Sequence, residues 1–169
     1  NADCPVQRFW KDSSVKWSDY DKIILMKVNT EYLLKQSWWG SMNSRNVIQS
    51  PEKDCEMIAR YTESAFVQAI TKDPQKRFNI VSSPGKNTAY LELAIVQLVP
   101  SKPFLTAAEH TVGVFIPGTG ALSMANKGSV AIEGKIIDSM SGKVICMFTD
   151  REVGDGALLD LAGLTWYRH

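Results

Sequence analysis

Histidine is nearly absent from this chain: two of 169 residues, His110 and His169. Base-assisted nucleophilic catalysis needs an imidazole or equivalent base held beside a nucleophile. Neither histidine sits in such a setting, and no G-x-S-x-G, H-E-x-x-H or catalytic-cysteine signature occurs. The expectation is a protein that is not an enzyme, with no catalytic residue, cofactor or metal. Cysteine is also scarce. Cys4, Cys55 and Cys146 lack metal-like spacing and any C-x-x-C, so at most one disulfide can form, a Cys4–Cys55 bridge being open in an oxidising compartment. Neither sign of charge prevails: 19 basic against 18 acidic residues give +1, scattered along the chain, which argues against a nucleic-acid partner. No run of about eighteen uninterrupted apolar residues exists to span a bilayer as a helix.

What is present is a chain of 44% hydrophobic residues, enough for one compact domain over 1–169. Residues 1–20 read as an extended aromatic lead-in packed over the domain edge, carrying Phe9, Trp10, Trp17 and Tyr20. Lys22–Val28, KIILMKV, is a β-branched apolar run and predicts the first core strand. The clearest helix follows Ser50: a hydroxyl suited to the N-cap, Pro51 in the first turn, and Glu52 and Asp54 at the positive dipole end. Cys55, Ile58, Ala59, Thr62, Ala65, Phe66, Ala69 and Ile70 recur at three- and four-residue steps and form its apolar face. Glu56, Arg60, Glu63 and Gln68 fall on the solvated side, and Asp73-Pro74 stops the helix. Short and long strands are then expected at Arg77–Val81 and Thr88–Val99, the latter with Leu91, Leu93, Ile95 and Val99 on one face and Glu92 on the other.

The stretch Ser129–Asp155 organises the rest. Val130, Ile132 and Ile136 share one face and Glu133 and Lys135 the other, the pattern of a half-buried strand. Asp138 can accept hydrogen bonds from the following amides and Gly142 can adopt a left-handed conformation, closing a turn. The return strand, Lys143–Thr149, is apolar on both faces and so is expected inside a sheet, covered on both sides. Asp150, Glu152 and Asp155 could offer oxygen ligands to a hard cation, but Arg151 among them favours a charged strand exit held by an internal salt bridge. Glu92 and Glu133 could pair if their strands are neighbours. Pro117-Gly118-Thr119-Gly120 lacks the ending and the strand-loop-helix context of a phosphate loop.

The run Gly128–Gly154, GSVAIEGKIIDSMSGKVICMFTDREVG, followed by ALLDL and LTWYRH, resembles the bacterial family known as domain of unknown function 3313. The family pattern A-I-E-G-x-x-x-D falls on Ala131–Gly134 and Asp138, its T-G-x-V on Ser141-Gly142 and Val144, and its D-R-E-x-G on Asp150–Glu152 and Gly154. The likeness extends more weakly back to the KIILMKV strand; the lead-in and Trp38-Trp39 match no part of the pattern. Members are mostly assigned as lipoproteins of Gram-negative envelopes. The resemblance therefore implies a periplasmic protein anchored to the outer membrane by a lipidated cysteine upstream of Asn1, and it supplies no catalytic residues.

The expected fold is α+β: a mainly antiparallel sheet with one long helix, and a C-terminal helix, packed on one face. The expected function is a non-enzymatic envelope protein that binds or assembles with another envelope component. Its interaction surface would be Trp38 and Trp39 or a flexible loop over 107–127 carrying Phe115, Ile116, Leu122 and Met124. Two other readings stand beside it. One is a small-ligand binder or hydrolase with a pocket under 107–126 using Glu109 or His110; the other is a homo-oligomer pairing through a sheet edge.

Overall fold

The computed structural model describes residues 6–36, 50–99 and 129–153. Six strands form one sheet: β1 (Arg8–Lys11), β2 (Lys22–Leu25), β3 (Asn79–Ile80), β4 (Thr88–Val99), β5 (Ser129–Asp138) and β6 (Val144–Val153). A one-turn helix α1 (Glu31–Leu34) and a long helix α2 (Pro51–Lys72) separate β2 from β3. The spatial order is β1-β6-β5-β4-β2-β3.

The sheet is mixed, which overturns the mainly antiparallel arrangement expected from sequence. β1–β6, β6–β5 and β5–β4 are antiparallel, whereas β2 runs parallel to both β4 and β3. The cause is α2. A strand followed by a long helix is carried back to the end where it began, so the next strand enters parallel. Alternation of side chains reports burial but not strand direction. The expected C-terminal helix lies outside the described residues.

The helix itself follows its sequence signals. Ser50 Oγ accepts from the Lys53 amide, Pro51 opens the first turn, and Cys55, Ala59, Thr62, Ala65 and Phe66 are buried. Cys55, Ala59 and Phe66 meet Ile23, Leu91, Leu93, Ile95, Val130 and Ile132 in one core. Burial pushes the Cys55 thiol up to about 11, with Asp54 and Glu52 adding to the effect. At the C-terminus the buried Asp73 carboxylate accepts from the amides of Gln75 and Arg77 and from Arg77 Nε at 2.9 Å, which turns the chain toward β3.

Glu63 corrects the expected solvated face. Its Oε1 accepts the Val28 amide at 2.8 Å and supplies a partner for backbone where β2 has ended. Glu63→Ala is expected to cost about 1–2 kcal/mol, the penalty for orphaning a half-sheltered N–H. Glu63→Gln should recover most of it. Urea denaturation checks both.

Two bulges set which residues face α2. One in β4 lies between Ile95 and Gln97 and reverses the alternation, so that Leu98 joins the core while Val99, expected inside, is 37% exposed. The second sits in β6 opposite Ile136 and Ile137. The return strand does lie inside the sheet, but it is not covered on both sides: Met147 is 44% exposed. The lead-in also differs from expectation, since Arg8–Lys11 forms a true edge strand on β6. Asp12 locks its exit. The Asp12 amide donates to the Ile145 carbonyl, and its carboxylate meets Lys143 Nζ at 2.5 Å and Ser14, contacts that hold it well below the usual carboxylate range.

Candidate functional site

α2 covers one face of the sheet; the other is open among the described residues, and the register arranges its side chains in rows. Trp10, Met147, Lys135 and Glu92 stand directly across from one another on β1, β6, β5 and β4. Arg8, Thr149, Glu133 and Ala94 form the next row, which reaches Asn29 through an isolated bridge. Directly opposed residues in antiparallel pairs project to the same side, so each row is a continuous band of side chains. Lys135 Nζ and Glu92 Oε2 pair at 2.6 Å in the middle of the first row.

The segment after β2 raises a wall beside this floor. Met26, Lys27, Asn29 and Tyr32 stand along it, Tyr32 with Lys35 Nζ at 5.6 Å from its ring centre. Wall and floor enclose a wide groove of about 820 Å³. Trp10 is 48% exposed and Met26 40% exposed at its two sides. Three cations, Arg8, Lys27 and Lys135, face two carboxylates, Glu92 and Glu133, a net of one positive charge. Such a lining has apolar contact area and charges of both signs with only a slight cationic excess.

The sequence-predicted surface, Trp38, Trp39, Phe115, Ile116, Leu122 and Met124, lies outside the described residues, as do Glu109, His110, His169 and Cys4. Glu92 and Glu133 do occupy neighbouring strands on one face, but Lys135 neutralises Glu92, so no carboxylate pair forms for acid–base work. Asp150 and Arg151 divide between the faces. Asp150, opposite Ile132, is buried on the helix side, where Oδ1 accepts the Gln7 amide. Arg151 is exposed and reaches Ser129 Oγ. Asp155 lies outside the described residues. The alternation of Glu133 and Lys135 signals half of the groove floor in the sequence; Arg8 and Trp10 carry no such signal, because a four-residue edge strand shows too little periodicity.

Fold and groove together define a class: among the described residues, a two-layer arrangement of helix on mixed sheet, with the second face of the sheet left open. The chain belongs to the family described as Protein of unknown function (DUF3313), whose model matches residues 2–158. The match includes the lead-in, which the hairpin-based resemblance left out. No curated protein matches the sequence. Among solved structures, the chain is similar to a single-substitution variant of the PelC dodecamer from Paraburkholderia phytofirmans at 11% identity and a TM-score of 0.49, covering 95% of this chain and 93% of that one. A second crystal form of the PelC dodecamer is similar at 10% identity and a TM-score of 0.39, covering 95% and 91%. Among the described residues, no helix is long and apolar enough to cross a membrane.

Proposed function

We propose that this chain is a non-enzymatic protein of the Gram-negative envelope that binds another envelope protein along the open face of its sheet. The observation that carries the binding reading is the groove: an 820 Å³ trough across four strands, with Trp10, Met147 and Met26 exposed between charges of both signs. Exposed aromatic side chains supply rigid contact area, methionine adapts its shape to an irregular surface, and flanking charges orient a partner. A net of one positive charge, with Lys135 already paired to Glu92, favours a protein surface over a polyanion, which would call for a larger excess of cations. Among the described residues the trough is open along its length, whereas small-molecule sites bury most of their ligand. The family's mostly lipoprotein membership supports the envelope compartment, with the anchor on a cysteine upstream of Asn1.

The test uses the natural full-length precursor in a Gram-negative host. Expected is recovery with the outer membrane and, with a photoreactive residue at position 147, one discrete protein adduct that Lys135→Glu abolishes while circular dichroism and the melting temperature stay unchanged. Cytosolic recovery overturns the compartment. A residue 147 that forms no protein adduct overturns the groove.

A further inference from the structure

β1 ends the sheet, and its outer edge meets no other strand among the described residues. All four of its residues are exposed, Phe9 to 38% and Trp10 to 48%. The other edge, β3, is only two residues long, which protects it from pairing. We infer that β1 is an interface between two copies of this chain, joined by antiparallel pairing of β1 with β1 about a two-fold axis at Trp10. This inference goes beyond the groove reading and does not depend on it.

Backbone parity selects this register. The Asp12 amide donates to the Ile145 carbonyl, continuing the β1–β6 ladder that pairs Trp10 with Met147 and Arg8 with Thr149. Hydrogen-bonded positions alternate along an antiparallel edge, so Trp10 and Arg8 turn their backbone groups inward to β6 while Phe9 and Lys11 turn theirs outward. A two-fold pairing that uses those outward groups centres on Phe9, Trp10 or Lys11. Centring on Lys11 stacks two ammonium groups. Centring on Phe9 matches Phe9 with itself and Arg8 with Trp10 of the second copy, leaving Lys11 opposite uncharged Gln7.

Centring on Trp10 uses both residues' outward groups and also settles the charges. Phe9 then exchanges both backbone hydrogen bonds with Lys11 of the second copy, whose ammonium reaches the Phe9 ring, a favourable cation–aromatic contact. Arg8 falls opposite Asp12. Trp10 faces Trp10 across a non-hydrogen-bonded pair, where side chains approach most closely. A two-fold interface must be self-complementary in this way, and closing the edge removes an exposed strand that would otherwise template indefinite pairing.

Proline tests it cleanly, because an edge strand tolerates proline where its N–H faces outward. In light scattering on the purified chain, the expected result is a dimer, with Lys11→Pro weakening dimerisation by about tenfold or more through loss of one outward donor per copy. The far-ultraviolet spectrum should be retained. A second arm covers failure of that variant to fold. In a chain carrying Cys4→Ser and Cys146→Ser, Trp10→Cys is expected to form a disulfide-linked dimer on mild oxidation, since non-hydrogen-bonded partners stand within disulfide range. Phe9→Cys, which faces Lys11, should not. A monomer at every concentration, a dimer indifferent to Lys11→Pro, or cross-linking through Phe9→Cys alone overturns the inference. Each leaves the groove reading untouched, as that is judged from position 147.

Discussion

Gly134→Ala is expected to destabilise the protein by about 1–3 kcal/mol, and Gly134→Val by at least the upper end of that range. Glycine to alanine in an extended segment ordinarily stabilises by about 0.4–1 kcal/mol through the unfolded chain. Here sterics reverse the sign. Gly134 lies directly across from Phe148, and a Cβ at 134 would come within 2.1 Å of the ring's Cζ and 2.4 Å of Cε1. The ring lies over the strand and packs against the core that α2 closes, so displacing it loosens that packing. Urea unfolding should show a lower midpoint with unchanged slope, the mark of altered stability rather than of an altered unfolded state. The diagnostic is the double variant. Gly134→Ala with Phe148→Leu should be less damaged than the sum of the two single changes. Strict additivity would show that the ring does not rest in the space the glycine leaves.

Gly134 also marks where sequence reasoning reaches its limit. The glycine is visible in the A-I-E-G segment, and a glycine inside a strand signals a close approach by something. What approaches it could not be read, because β5 and β6 are separated by a bulge that changes which residue stands opposite. The hairpin turn was legible for the opposite reason: every contact is local. Asp138 and Gly142 carry their chemistry within five residues, and Gly142 adopts φ +70° as a left-handed turn demands. The long helix was legible because its period, cap and stop agree.

Direction and edges were not legible. β2 and β4 are each recognisable as apolar runs, but their parallel pairing is a property of the whole crossover through α2. β1 is invisible locally, since RFWK gains its strand identity from register with Phe148 and Met147. The open groove inherits both uncertainties. Glu92, Glu133 and Lys135 were readable as the polar sides of their strands, whereas Trp10 and Arg8 enter the site only through the edge pairing, and Met26 and Tyr32 only through the turn after β2. Site residues on long strands therefore come from pattern, and those on its rim come from topology.

Asp138→Ala is expected to lower stability by about 2–3 kcal/mol, because one half-buried carboxylate serves two distant parts of the chain. Its Oδ1 accepts from the Met140 amide, the Ser141 amide and Ser141 Oγ, at 3.2, 2.7 and 2.6 Å, and so holds the β5–β6 turn. Its Oδ2 accepts from the Tyr20 hydroxyl at 2.8 Å and ties the lead-in to that turn across 118 residues of sequence. The Ser141 hydrogen bonds, with those of Tyr20 and Met140, hold the Asp138 carboxyl below its ordinary 3.8. A depressed carboxylate contributes stability that is complete above the unfolded value and is lost as pH falls through the folded one. Burial, then the Asp138 hydrogen bond and charge, push Tyr20 from 10.0 up to about 12. A raised group behaves inversely: its contribution is complete below pH 10 and disappears as pH rises from 10 toward 12. Asp138→Ala should therefore flatten the acid limb below pH 4 and also reduce the alkaline one, whereas Tyr20→Phe should flatten the alkaline limb, reduce the acid one only by the share of its own hydrogen bond, and cost about 1 kcal/mol at neutral pH. Thermal melting from pH 3 to 11 on the three proteins reads both limbs. An Asp138→Ala protein whose acid limb matches the wild type would place the acid-sensitive group elsewhere. Asp12 and Asp73, both held low by cationic partners, would be the next carboxylates to replace.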